Sequence, residues 1–324
     1  MKTITIEEHF MSPGYADGPG RNVIEYGRRA GDHMRYIYEQ LLDVGEKRIA
    51  AMDEAGIDVQ VLSIITPGTE QLEAAEAIRI ARETNDFVAD AVTKYPNRFA
   101  GFAALPTAAP DKAVTELELR VQKYGFKGAV INGHIKSQYL DDKFFWPILE
   151  CAEKLDVPIV LHPAPPPKPI IDTYYGGFAP EVTDTLATMG WGWHIDTAVH
   201  VIRMIVGGVF DKYPKLQVLI GHLGEGLPFM LERMDWALPP KMTGLKRQIS
   251  DYLRQNISYS FSGFNYTATF LDLLLEVGVD RIMFSVDYPY GSMAKARAFL
   301  EQLPVSTADR EKIAHGNAER LLKL

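Results

Sequence analysis

Ile4-Thr5-Ile6-Glu7-Glu8-His9, near the start of the chain, decides how the rest is read. The run Ile4 to Ile6 predicts a strand. Residues i and i+2 of a strand face the same side, so Glu7 and His9 are expected to converge just beyond its end. The same chemistry recurs where later apolar runs stop. Val157-Pro158-Ile159-Val160-Leu161 ends at His162, Leu216 to Ile220 runs into Gly221-His222, and Ile282-Met283-Phe284-Ser285-Val286 ends at Asp287. Four strand ends then supply two carboxylates and three imidazoles, donors suited to a divalent transition metal.

Working outward, short β-rich runs alternate with helical patterns along the whole chain. Strands are predicted at Thr3 to Ile6, Val59 to Ile64, Phe99 to Ala103, Gly128 to Ile131, Pro158 to Leu161, Leu216 to Ile220, Ile257 to Ser260 and Ile282 to Val286. Helical stretches such as Glu70 to Lys94 and Asp111 to Lys123 lie between them, and Ile195, Val199, Ile202 and Val206 predict one apolar helix stripe. Eight such units favour a closed (β/α)8 TIM-type barrel over an open doubly wound sheet, and no Gly-x-Gly-x-x-Gly follows the first strand. Without repeats, low-complexity tracts or a linker, residues 1–324 are read as a single barrel domain.

Two connections are too long for plain βα loops, one after strand 1 and one after strand 5. Met11 to about Asp43 carries Tyr15, Tyr26, Tyr36 and Tyr38, and Pro163 to Trp193 carries Tyr174, Tyr175 and Trp191. Both follow proposed ligand-bearing strands, so they are expected to be lids or pocket walls, with subunit contact as a compatible role.

The 324 residues have an apolar share of 47%, a charged share of 23% and a net charge of −8. The acidic balance disfavours nucleic acid as a partner, and no apolar run approaches a membrane span. Cys151 is the one cysteine and falls in the amphipathic stretch Phe144 to Lys154, which predicts a small buried hydrophobe. A reducing cytoplasm fits best.

Active sites of such barrels lie at the C-terminal ends of the strands. Glu7, His9, His162, His222 and Asp287 all fall there, suiting Zn²⁺ or Mn²⁺ with one position open. Glu225, three residues beyond His222, could hold that ring in one tautomer. Asp287 could instead cap a helix. His33, His200 and His315 fit solvated or core roles, whereas His134 and His194 could reach the pocket.

Glu7-x-His9, His162-Pro163, Gly221-His222-Leu223-Gly224-Glu225-Gly226, Ser285-x-Asp287-x-Pro289 and Gly316-Asn317-Ala318-x-Arg320-Leu321 together resemble the amidohydrolase-related metal-dependent decarboxylases. Within these, Glu7-Glu8-His9-Phe10 is most similar to the opening of the γ-resorcylate and 2,3-dihydroxybenzoate decarboxylases. The resemblance covers nearly the whole chain, including Met52-Asp53-Glu54-Ala55-Gly56-Ile57, Phe99 to Pro106 and Asn132-Gly133. It implies one divalent ion, Zn²⁺ or Mn²⁺, held by Glu7, His9, His162 and Asp287, with His222 and Glu225 acting beside it. It also implies that Arg233, Asn132 and Tyr290 meet substrate and that the protein forms homo-oligomers, dimers or tetramers. Glu7 replaces the first histidine of the superfamily's hydrolases, and no lysine ends the fourth strand, so a dinuclear centre is not expected. One departure is Ala164-Pro165-Pro166-Pro167, where the resorcylate-type enzymes carry an arginine soon after His-Pro, so pocket polarity is expected to differ.

The leading expectation is therefore non-oxidative decarboxylation of a hydroxylated aromatic acid, with Asp287, His222 and Glu225 catalytic. The rival expectation uses the same residues to hydrolyse a lactone, ester or amide through metal-bound water. A non-catalytic metal-binding scaffold would not be expected to retain all five positions.

Overall fold

The computed structural model describes residues 1–21 and 32–324, apart from the side chains of 32–34. Among these residues the strands are β1 (Ile4–Phe10), β2 (Val59–Ile64), β3 (Phe99–Gly101), β4 (Ala103–Ala104), β5 (Ala129–Asn132), β6 (Ile159–His162), β7 (Val218–Ile220), β8 (Ile257–Ser260) and β9 (Ile282–Met283). They pair in sequence order within β1 to β3 and within β4 to β9, all in parallel. The expected third strand is divided at Phe102. Its N–H donates to the Leu62 carbonyl, whereas that of Ala103 donates to Gly128, so one pass of chain leaves β2 and joins β5. A parallel bridge from Glu8 to Tyr288 completes the ring, with the His9 N–H donating to the Tyr288 carbonyl at 2.7 Å and the Asp287 N–H to that of Glu7 at 3.1 Å. The result is the expected (β/α)8 barrel.

Strands buried on both faces explain the unbroken apolar runs: every residue of β5, β6 and β7 is buried. Helices cover the outside. The helix Ala74–Lys94 buries Ala77, Ile80, Ala81, Thr84 and Val88, the three-to-four spacing of a one-faced helix. Its Asn85 donates to the Ala104 carbonyl at 2.9 Å and accepts the Ala104 N–H at 2.8 Å, fastening the divided strand where its ladder changes partner.

Several expectations need correction. β1 runs on to Phe10 because Glu8, His9 and Phe10 continue the ladder with Leu62, Ser63 and Ile64 after a register shift between Thr5 and Glu8. The long connections are partly helical, with helices at Pro13–Asp17 and Asp32–Leu41 in the first and Pro180–Ala187 in the second. Tyr26 and the His33 side chain lie outside the described residues. The helix Gly192–Val206 buries Ala198, Val201, Met204 and Ile205, while Val199 and Val206 of the predicted stripe are exposed. Apolar residues surround this helix, so period alone could not choose its inner face. Cys151 is buried as expected, its thiol pushed up to about 11 chiefly by burial. No helix among the described residues is long and apolar enough to cross a membrane.

Candidate metal centre

Glu7 and His9 on β1, His162 at the end of β6 and Asp287 after β9 converge, with one ligand atom of each within 4.8 Å of all the others. His9 Nε2 lies 3.1 Å from Asp287 Oδ1, and His162 Nε2 lies 3.6 Å from Glu7 Oε1. Glu7 Oε1 and His9 Nε2 are buried without a hydrogen-bond partner. Unpaired donors converging on one point fit a shared cation, as ligand bonds of about 2.0–2.2 Å require. Behind the cluster, His9 Nδ1 faces the Ser63 hydroxyl at 3.3 Å, which turns Nε2 toward the ion position. Asp287 does not cap a helix: Ser292 caps Met293–Gln302, its hydroxyl accepting the Lys295 N–H.

Burial pushes the Glu7 carboxyl above its usual range, only partly offset by His222. Its other oxygen accepts from the Ser262 hydroxyl at 2.5 Å, and Ser262 in turn contacts Ser260 and Ser285. A Cβ at position 221 would stand 2.5 Å from Glu7 Oε2, so glycine there leaves room for the carboxylate. His162 is driven well below its usual value, first by burial and then by the imidazoles around it, so it stays a neutral donor.

His222 adjoins this cluster, its Nε2 3.8 Å from Glu7 Oε1, and its Nδ1 meets Glu225 Oε1 at 2.7 Å. The expected pairing of these two residues is therefore formed. Glu225 Oε2 also meets His194 Nδ1 at 2.6 Å. The indole N–H of Trp193 donates to His194 Nε2 at 3.0 Å, and Nδ1 on the other side of the ring donates to Glu225. Burial opposes the charge of both His222 and Glu225. Glu225 nonetheless holds His222 up at about 10, and the imidazoles hold Glu225 down at about 2. Phe264 covers both rings, at 5.3 Å from His194 and 5.2 Å from His222.

The remaining sequence candidates divide. Tyr290 stands with its ring 6.2 Å from His9. Asn132, fully buried, pairs in register with His162. Arg233 is exposed, its guanidinium 4.4 Å over the Trp236 ring. His134 accepts the Ser137 N–H, His200 is buried and accepts that of Leu140, and His315 pairs with Glu319, all apart from the cluster.

Sequence reading left His194 as an open candidate and did not find the serines or Glu8. Serine at every second position, 258, 260 and 262, was a usable period-two signal. Glu8 faces away from Glu7: it accepts the Gln60 amide and the Val286 N–H, and Gln60 accepts from Arg48, which also donates to the His9 carbonyl. This bracket ties β1 to the segment bearing Asp287. Burial pushes the Glu8 carboxyl up to about 8.

The model of the amidohydrolase family matches residues 39–324. The chain belongs to this family. The amidohydrolase is 40% identical to a γ-resorcylate decarboxylase of Polaromonas sp. over 299 residues, 89% of this chain and 90% of that protein. It is 36% identical to one of Rhizobium sp. over 332 residues, 99% and 98% of the two chains. A crystal structure of a dihydroxybenzoic acid decarboxylase of Polaromonas sp., with bound manganese and the inhibitor 2-nitroresorcinol, superposes with a TM-score of 0.90 at 36% identity, covering 100% of this chain and 97% of that one.

Proposed function

We propose that this amidohydrolase is a carboxy-lyase that removes CO₂ without oxidation from a hydroxylated aromatic acid. The observation that carries this is one ligand set, Glu7, His9, His162 and Asp287, beside the His222–Glu225 arm, in a chain 40% and 36% identical to two γ-resorcylate decarboxylases. The ion is Mn²⁺ or Zn²⁺, with manganese favoured by the neighbouring crystal structure. When bound, it supplies a Lewis-acid anchor for the acid's carboxylate and ortho oxygen.

The reaction replaces a ring C–C bond by a C–H bond: a proton is added at the carbon bearing the carboxylate, and that bond's electron pair stays with the ring as CO₂ departs. Asp287 delivers the proton and His222 supplies or stabilises it, a reading supported by their short separations from His9 and Glu7. Glu225 keeps His222 charged, and His194 holds the second oxygen of Glu225. Tyr290 supplies a flat wall beside His9, and Asn132 a polar one beside His162.

The protein acts as one barrel domain and self-associates. Phe229, Trp236 and Met242 are 81%, 72% and 72% exposed, apolar side chains that a second copy would cover. Arg233 stacks on the exposed Trp236 ring. Light scattering of wild type and Trp236→Glu tests this, with a smaller species expected for the variant. The lone buried Cys151 suits a reducing compartment such as the cytoplasm.

The deciding experiment incubates Mn²⁺- and Zn²⁺-loaded protein with a panel of hydroxybenzoates, following CO₂ and substrate absorbance. One CO₂ per substrate consumed, abolished by chelation, is the expected result. Silence from metal-loaded protein would reject the reading and turn the search to lactones and esters.

A further inference from the structure

Serines stand at every second position along and beyond β8, at 258, 260 and 262, and Ser262 lies past the strand's end at Ser260. Ser262 has φ +45°, in the left-handed region where a side chain is strained and glycine is the ordinary occupant. Glycine does follow it, at Gly263 with φ +77°, yet position 262 itself keeps a hydroxyl. Strain of this kind persists only where the surrounding structure holds it. Ser285, on the segment leading to Asp287, does so: its hydroxyl accepts the Ser262 N–H at 2.8 Å and lies 3.1 Å from the Ser262 hydroxyl.

The strained backbone delivers the Ser262 hydroxyl to Glu7 Oε2 at 2.5 Å. A metal-bound glutamate is a carboxylate and can only accept, so the serine donates, and its oxygen is left to accept from Ser260, 2.8 Å away. Ser260 itself lies 3.5 Å from the same carboxylate oxygen. Gly221 leaves room for this contact, since a Cβ there would stand 2.5 Å from Glu7 Oε2 and 2.7 Å from the Ser262 hydroxyl. Glu7 Oε1, by contrast, has no hydrogen-bond partner and faces His162 Nε2 at 3.6 Å and His222 Nε2 at 3.8 Å. The two oxygens of one buried carboxylate are therefore treated unequally. Carboxylates bind metals through one oxygen or through both.

We propose that Ser262 is a positioning residue that reserves Oε2 and so fixes Glu7 as a single-oxygen ligand of the divalent ion. A glutamate confined in this way cannot spread across the ion and take the position that an open site keeps for an incoming ligand. This rests on Glu7 being a metal ligand.

The test compares wild type, Ser262→Ala and Ser262→Gly by Mn²⁺ affinity and by the infrared difference between metal-loaded and metal-free protein, isotope-labelled at its glutamate carboxyls, with Glu7→Gln as the blank. The two stretching bands of a carboxylate lie further apart when one oxygen binds a metal than when both do. Wild type should show the wide separation. Both variants should show a narrower one and bind Mn²⁺ roughly 10-fold or more weakly. Glycine relieves the left-handed backbone, so a merely structural role for position 262 would leave the Gly variant with wild-type affinity and band separation. Thermal melts identify a variant that fails to fold, and the Gly variant carries the test if the Ala variant does. A narrow separation in wild type, or an unchanged separation in a folded variant, would overturn the proposal. Wild type that binds metal without any Glu7 band would remove Glu7 from the ligands and the serine's role with it, whereas a Glu7 band that the Ser262 variants leave unmoved removes the serine alone.

Discussion

Glu7 and Glu225 are both buried glutamates at the mouth of the same barrel, both reached by His222, and their carboxyl groups are pushed in opposite directions. Glu225 accepts from two imidazoles and is held down at about 2. Glu7 has two hydroxyl partners on one oxygen and none on the other, and burial raises it. Burial alone therefore does not assign a carboxylate its role. Glu225 has its compensating charge within the chain, which makes it a holder of His222. Glu7 is only partly compensated by His222 and His9, which makes it a place for a cation.

The comparison can be broken most sharply at Asp287, which belongs to the Glu7 side and is assigned the proton. Asp287→Ala should lower kcat by roughly 10³-fold, within the range for a lost acid-base group, with circular dichroism unchanged. Turnover near wild type would remove the residue from the mechanism. Next, Glu7→Gln should weaken metal binding by on the order of 100-fold or more, whereas Glu225→Gln should keep full metal stoichiometry and lose about 100-fold in kcat. Metal analysis after dialysis, paired with kinetics, separates the two glutamates; equal metal loss in both variants would erase the distinction.

A smaller effect is expected at His194. His194→Ala should reduce kcat about tenfold with KM little changed, since it frees the Glu225 oxygen away from the substrate, and His194→Gln should recover part of the loss by restoring an N–H donor. A change confined to KM would place the ring against substrate instead.

The smallest effect is on stability without metal. Glu225 stands at about 2 against an ordinary 4.5, so its contribution is complete above 4.5 and lost as pH falls toward 2. His222 stands at about 10 against 6.5, so its contribution is complete below 6.5 and lost as pH rises toward 10. The pair therefore stabilises the metal-free protein most between pH 4.5 and 6.5. The Tm difference between wild type and Glu225→Gln should be widest there, on the order of 5 °C for a broken buried pair, and should narrow at higher and lower pH. A difference independent of pH would mean that the arm does not titrate as a charged pair.

The fold was legible because its signal is local. Apolar runs separated by helical stretches located the strand positions, and the polar residues ending those runs pointed to the metal cluster. Reading failed where local pattern was silent or ambiguous. The helix Gly192–Val206 is apolar on more than one face, so only packing selected Ala198 and Val201 over Val199 and Val206. β1 was cut short because Glu7-Glu8-His9 looks like the end of a strand, yet its backbone keeps pairing with β2. Arg233, implied to meet substrate, is exposed and stacks on Trp236, and no short sequence pattern reports which surface a side chain faces.

By itself, the sequence determined the barrel's strand positions and the kinds of ligand at their ends, because hydrophobic period and side-chain chemistry belong to short stretches. Tertiary structure decided which of the 8 histidines act together. His194 and His134 were equally open candidates, and ring closure brings His194 to Glu225 while leaving His134 against Ser137. It also decided that Glu70 and Asn132, distant in sequence, face one another. Such encounters depend on strand order, register and barrel closure, which exist only once the chain has folded.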